Sequence, residues 1–228
     1  MKQRGLSQEG LKIIACVTML IDHIGAVLFP QRILLRMIGR IAFPIYCFLL
    51  AEGAHYTKNP GKYALRLGIG VLLSELPFDL AFSSGWSWGY QSVMVTLLLG
   101  FLALVCMERT ENILLKVLAA LPFAVLAEVF KTDYGASGVA LIAMFGLTRT
   151  APKWVRFLGV LLVLALIPSV SIRIGGIRLS VELLAIFAMG PIFCYSGKKL
   201  SSSRGMQWAF YLFYPVHLTV IWLIAVSG

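Results

Sequence analysis

Residues Gly10–Phe29 read GLKIIACVTMLIDHIGAVLF. An apolar run of this length is long enough to cross a bilayer as a helix. Yet it carries Asp22 and His23 side by side. Ionisable groups in hydrocarbon are costly unless they face a protein interior or a water-filled cavity, so where they occur they mark function. Lys12 stands near the start of the same run. Eleven helical steps separate it from His23, which brings the two to within ~20° of one face and roughly 16 Å apart along the axis. One face of this helix thus sets a cation near one membrane surface and an imidazole well inside. The other spans are expected to house that face.

Composition fixes the class. The chain has 228 residues, 59% of them hydrophobic and 13% charged, with a mean hydropathy of +0.87. A soluble domain is nearer about half apolar and about a quarter charged. The expected fold is all-α, a polytopic transmembrane helical bundle forming a single domain over residues 1–228. The basic N-terminus before an apolar run is laid out as in a signal peptide, but the run has no small-residue cleavage site and continues into charged sequence, so it reads as a retained span. The four cysteines, Cys16, Cys47, Cys106 and Cys194, all lie in apolar segments without C-x-x-C spacing. They read as buried small hydrophobes, and no metal site is expected.

Run length and breakers give nine segments: 10–29, 32–52, 62–82, 91–107, 113–130, 135–148, 154–168, 178–195 and 207–226. The sixth is the weakest as a span. Orientation follows from the basic residues, which concentrate in cytoplasmic loops. With the N-terminus cytoplasmic, Arg32, Arg36, Arg40, Lys131, Arg173 and Arg178 fall outside, and the other fourteen of the 20 Lys and Arg fall inside. The net charge of +10 therefore reflects loop topology, and no nucleic-acid partner is expected. The partner composition calls for is the lipid bilayer. The charge-free loop at 83–92 carries Trp86, Trp88 and Tyr90; these suit an interfacial belt or a lid over an outward opening.

Further polar groups lie in apolar surroundings. Arg32, Arg36 and Arg40 recur every fourth residue, each step drifting only about 40° on a helix. They form a stripe that runs inward, with Arg32 suited to snorkelling and Arg40 about 12 Å deeper. Guanidinium forks suit carboxylate or phosphate. Pro44, just beyond, is expected to kink the helix. Asp22, Glu52, Glu75, Asp79, Glu128, Asp133 and Glu182 lie in or at spans and are the acids available to pair with Arg36, Arg40, Arg66 and Arg173. Asp22 points 100° away from His23 on a helix; it either assists that imidazole or pairs with another span. His217 follows Pro215 within FYPVHL, and either approaches the His23 cavity or bonds a carbonyl freed by the proline.

Together these stretches resemble the TraX family of bacterial membrane proteins, named for the pilin acetylase of conjugation. The matching stretches are LKIIACVTMLIDHIGAVLFP, LRMIGRIAFPIYCFLLAEGAHYTKNPGKYALRLG, ELPFDL, DYGASGV and FYPVHL, in the family's order from Leu11 to Leu218. Residues 107–130 and 150–200 add no motif. The family in turn is similar to wider integral-membrane acyltransferases, the acyltransferase-3 and heparan-glucosaminide acetyltransferase types. In the former, a basic residue, ten residues and a histidine mark the first span, and Lys12 and His23 fit that pattern.

The resemblance implies a multi-pass protein of the bacterial cytoplasmic membrane. Its activity would be transfer of an acyl group, acetyl above all, from cytoplasmic acetyl-CoA to an acceptor at the outer face. His23, aided by Asp22, would be the general base. Lys12 and Arg66 would meet the anionic acyl-CoA. Arg36, Arg40 and His217 would line the acceptor end. The acceptor would be a pilin-like N-terminus, a glycan or a small molecule. The alternative class is a small transporter or ion-coupled carrier using the same buried His, Asp and Arg. The absence of duplicated halves in the spans counts against a carrier.

Overall fold

The computed structural model describes residues 5–83, 89–167, 171–174, 177–198 and 204–227. Trp86 and Trp88 lie outside these, as do Lys2, Arg4 and Lys199 and the side chains of Arg173, Arg178 and Arg204. The helices are α1 Gln8–Val27, α2 Ile33–Gly39, α3 Ala42–Tyr56, α4 Pro60–Phe82, α5 Val93–Met107, α6 Ile113–Val129, α7 Gly135–Leu147, α8 Lys153–Leu166, α9 Met189–Phe193 and α10 Arg204–Ser227. Among the described residues the architecture is all-α, with one short hairpin. Three stretches among the described residues are long and apolar enough to cross a membrane: Gln8–Val27, Ile33–Tyr56 and Trp208–Ser227. The 13 residues of α7 rise only about 20 Å, against a hydrocarbon core of about 30 Å.

The chain divides into two compact units, residues 1–49 with 168–228, and residues 50–167. In the first unit, α1 begins where Ser7 accepts a hydrogen bond from the Gly10 amide at 3.1 Å, satisfying one of the amides a helix start leaves unpaired. Leu11, Ala15, Met19, Asp22 and His23 are buried while Ile13 and Val17 are exposed, so the helix turns its ionisable pair inward and its aliphatic side outward. The chain before α1 is stitched to the segment after α9. Leu6 donates to the Cys194 carbonyl at 2.8 Å, Ser196 to the Leu6 carbonyl at 2.9 Å, and Gln8 to the Lys198 carbonyl at 3.0 Å.

The second apolar segment is two helices. The break falls at Arg40–Ile41, four residues ahead of the proline expected to kink it. A proline ring clashes with the carbonyl four residues earlier and brings no amide of its own. Pro44 therefore acts at Arg40, and itself sits in the first turn of α3, where a missing amide costs little.

The eighth segment departs furthest from expectation. Instead of one span over 178–195, Ser171–Ile174 pairs antiparallel with Ile177–Ser180, Ile174 opposite Ile177. A 3-10 helix, Val181–Ala188, follows and runs into α9. The reason is in the sequence SIRIGGIRLS, where apolar and polar residues alternate on both sides of a Gly-Gly pair, a two-residue hairpin signal.

The second unit is a succession of antiparallel neighbours, α4 to α8. At one end Glu75 accepts from the Ser92 hydroxyl at 2.6 Å, Tyr90 donates to Asp133 at 2.8 Å, and Thr96 bonds Thr132 at 2.9 Å. Tyr90 thus has a tethering partner. At the other, Arg156 donates to the carbonyls of Thr148 and Arg149, at 3.1 and 2.7 Å, where α7 ends. The outward sides of α6 and α8 show Leu114, Leu118, Leu121, Val125, Leu158 and Leu162 exposed, an apolar surface of the kind that meets lipid or another protein.

In the first unit α1 and α2 approach closely at two glycines. A Cβ at Gly25 would meet Leu35, and one at Gly39 would overlap the Cβ and carboxylate of Asp22. Gly68 has nothing within 4 Å of that position. Gly39→Ala is therefore expected to lower stability by about 1–3 kcal/mol, the usual cost of overpacking. Gly68→Ala should be neutral or stabilising by up to about 1 kcal/mol. Thermal unfolding of both variants in one detergent decides this, and equal melting temperatures would refute the close approach.

Candidate functional site

The expected site residues of the first unit gather around α1, on two faces. Asp22 looks toward α2. Its carboxylate accepts from Arg36 at 2.5 Å and from Arg40 at 2.7 and 2.8 Å. The other arm of Arg40 donates to Glu182 at 2.7 Å. Two arginines and two acids thus form one cluster whose formal charges cancel. Asp22, Arg40 and Glu182 are each less than a tenth exposed. The arginine stripe is graded: Arg32 exposed, Arg36 half-buried, Arg40 buried. Asp22 was open to two roles. Its oxygens go to α2, because consecutive side chains on a helix diverge by 100° and the one beside it faces elsewhere.

His23 looks toward α10. Its Nδ1 lies 2.6 Å from Nε2 of His217. The ring planes are 4° apart with centroids at 4.9 Å. A nitrogen contact this short is closer than stacked rings can come, and the centroid separation exceeds it by about two ring radii, so the imidazoles meet edge to edge in a shared plane. His217 Nδ1 donates to the Phe213 carbonyl at 2.6 Å. The two readings of His217 therefore hold together: it reaches His23 and it bonds a carbonyl. That carbonyl is the one four residues back from His217 itself, not the Tyr211 carbonyl that Pro215 leaves without its helical amide. Tyr214 stands edge-on to both rings, with centroids at 5.8 and 5.6 Å.

Helix rise accounts for the meeting. His23 is about 22 Å along α1 and His217 about 20 Å along α10, and the segments preceding α1 and α10 are joined by backbone bonds. Lys12 meets Phe210 and, further along both helices, His23 meets His217, so α1 and α10 run parallel and bring these residues level. On α10 the buried residues Tyr214, His217, Leu218 and Ile221 share one face, while Leu212, Val216, Val220, Leu223 and Ile224 are exposed.

Lys12 sits on the His23 side of α1 with its Nζ 5.1 Å from the Phe210 ring centre, within cation–π range. One turn on, the Cys16 thiol meets the Tyr46 hydroxyl at 3.2 Å. Arg66 belongs to the second unit, where it is exposed and lies over Tyr63 at 5.3 Å. Glu182, one of seven acids the sequence offers to the arginines, is the second partner of Arg40. Its partner lies 142 positions away, across the segment whose hairpin pattern went unread.

The cluster sets a measurable hierarchy. Arg40→Ala leaves two buried carboxylates short of their partner, and breaking a buried pair this way costs about 3–5 kcal/mol. Arg32→Ala removes an exposed charge and should stay within about 0.5 kcal/mol. Arg40→Ala combined with Asp22→Asn and Glu182→Gln should recover part of the loss. Melting temperatures of the purified variants read the order, and comparable mild effects at both arginines would return the stripe to interfacial anchoring.

A model of the family described as TraX protein matches residues 7–225. A probable fimbrial assembly protein FimC, serogroup H1, of Dichelobacter nodosus is 31% identical over 245 aligned residues, which cover 92% of each chain. The protein TraX of Escherichia coli strain K12 is 25% identical over 219 residues, 94% of this chain and 86% of its own. An uncharacterised protein of Rickettsia prowazekii is 51% identical over 62 residues, 27% of this chain and 24% of its own. No solved structure matches. With the match running from α1 to near the end of α10, the chain belongs to the TraX protein family.

Proposed function

We propose that this protein is a membrane-embedded acyltransferase, one functional domain over its whole length, which moves an acetyl group from cytoplasmic acetyl-CoA to an amine or hydroxyl at the outer face of the bacterial cytoplasmic membrane. The observation that carries the reading is the buried His23–His217 pair, whose His23 lies on the same helix as Lys12 and roughly 16 Å deeper. The acceptor nitrogen or oxygen attacks the thioester carbonyl, its proton passes to His23, the carbon–sulfur bond breaks, and the thiolate of CoA leaves and is reprotonated. Lys12 serves the donor's phosphates. Arg36 and Arg40, held by Asp22 and Glu182, present fixed donors to charge developing on the acceptor side. Asp22 acts through the arginines. The fimbrial assembly role in the FimC relative's name favours a pilin-like acceptor, and with it a link to conjugation or pilus biogenesis.

The topology this reading uses puts the N-terminus cytoplasmic and the C-terminus outside, with the short apolar stretch Val181–Phe193 taken as the eighth of nine crossings. The backbone bonds joining Leu6 and Gln8 to Cys194, Ser196 and Lys198 support it, since both segments must share a side of the bilayer. A reporter within 198–204 should therefore read cytoplasmic and one after Gly228 extracytoplasmic. The same side for both would overturn the orientation of α10.

The carrier reading draws on the charge-balanced buried cluster, which an ion pathway would also use. Acetyl-CoA binding by purified protein separates the two, because a carrier of this kind binds none. For the enzyme, His23→Ala should cut turnover by about 10²–10⁴-fold, the usual worth of a general base, with donor affinity kept. Lys12→Ala should instead raise the donor Kd. Initial rates and acetyl-CoA binding in nanodiscs measure both. Near-normal turnover in His23→Ala would sink the mechanism.

A further inference from the structure

We propose that His217 is a positioning residue that fixes His23 in its Nδ1–H tautomer and so makes Nε2 the basic nitrogen of the pair. The argument starts at the far end of the chain of bonds. A carbonyl oxygen only accepts, so the 2.6 Å contact between His217 Nδ1 and the Phe213 oxygen requires the hydrogen on His217 Nδ1. In an uncharged ring the other nitrogen, Nε2, is then bare. It faces His23 Nδ1 at 2.6 Å, a distance that two lone pairs or two N–H groups cannot share, so His23 Nδ1 must donate. His23 Nε2 is left as the nitrogen without a hydrogen. The sequence of groups is Phe213 carbonyl, His217, His23, each setting the state of the next.

The α10 backbone is therefore the ultimate reference. Phe213 lies one turn before His217 on the same helix, and the in-plane meeting of the rings makes the bond directional. When His23 takes a proton at Nε2, its Nδ1–H bond to His217 strengthens, because a hydrogen bond from a charged donor is the stronger kind. His217 thus does for His23 what a buried acceptor does for any general-base histidine. Asp22, the acid next in sequence, is engaged with Arg36 and Arg40.

Only the kinetic part of this inference rests on the acyltransferase reading. The tautomer itself needs no substrate to be measured. The chain has three histidines, so ¹⁵N-imidazole labelling with His55→Gln as the assignment control resolves them by solid-state NMR in lipid. Wild type should show the Nδ1–H tautomer at both His23 and His217. His217→Gln keeps an acceptor oxygen where Nε2 was, and should keep His23 as Nδ1–H. His217→Ala removes it, and should release His23 to a mixture or to Nε2–H. In acetyl transfer, His217→Ala should lower kcat by roughly 10²-fold or more with KM little changed, and His217→Gln should restore most of it. An Nε2–H His23 in wild type, or a tautomer indifferent to His217→Ala, overturns the proposal, as does unchanged kcat in that variant. Should His217→Ala fail to fold, the wild-type and His217→Gln spectra decide. If wild type transfers no acetyl group while the tautomers follow this order, the acyltransferase reading falls and the positioning of His23 by His217 stands.

Discussion

One carboxylate organises the first unit. Asp22 takes hydrogen bonds from Arg36 and Arg40, and most of what surrounds it follows. Position 39 must be glycine because any side chain there would occupy the space of that carboxylate. The helix must break beside Arg40 for the guanidinium to turn both to Asp22 and to Glu182. The hairpin and 3-10 helix deliver Glu182 to the remaining arm. Buried ion pairs are poor sources of net stability, since desolvation offsets most of the attraction. What they supply here is a single permitted register between α1 and α2: a slide along either axis would strand a charge in hydrocarbon.

The neighbouring His23 serves a different helix. Apolar surfaces do not drive helices together in lipid, where tails are as apolar as leucine; close backbone approach and polar contacts must do it. α1 uses both on adjacent faces, glycine contacts and ions toward α2, an imidazole bond toward α10. It is the helix through which the outer elements of the unit are held. The aliphatic residues exposed on α10 complete the inverted pattern of a membrane protein, polar within and apolar without.

Much of this was legible in the sequence, and the rest failed for local reasons. Helix extents follow from run length, and α4 to α8 begin and end within two residues of their apolar segments. The inward grading of Arg32, Arg36 and Arg40 follows from a four-residue repeat on a 3.6-residue helix. The break at Arg40 was displaced by four because a proline disturbs the carbonyl behind it, not its own position. The hairpin was hidden because run length leaves 171–177 as a loop and assigns 178–180 to a span, and so does not register an alternation with the period of a strand. Asp22's partner could not be chosen, since helical geometry says only that it diverges from His23. Nothing local marks Glu182 as the second partner of Arg40. The His23–His217 pair needed the levels of two helices more than 190 residues apart, which depend on the backbone bonds between Leu6 and Cys194.

The separations within the ion cluster also order its assembly in time. Asp22 and Arg40 are 18 residues apart, Arg40 and Glu182 are 142. At the usual rate of synthesis, about 5–20 residues per second, Glu182 emerges roughly seven seconds or more after Arg40. Throughout that interval the nascent pair of helices holds two guanidinium groups against one carboxylate, an unbalanced positive charge. The first hairpin is thus competent to enter the membrane as a self-paired unit but is not at rest there. It waits for a segment the ribosome has yet to make, and the arrival of Glu182 balances the charge while α9 and α10 are still to come.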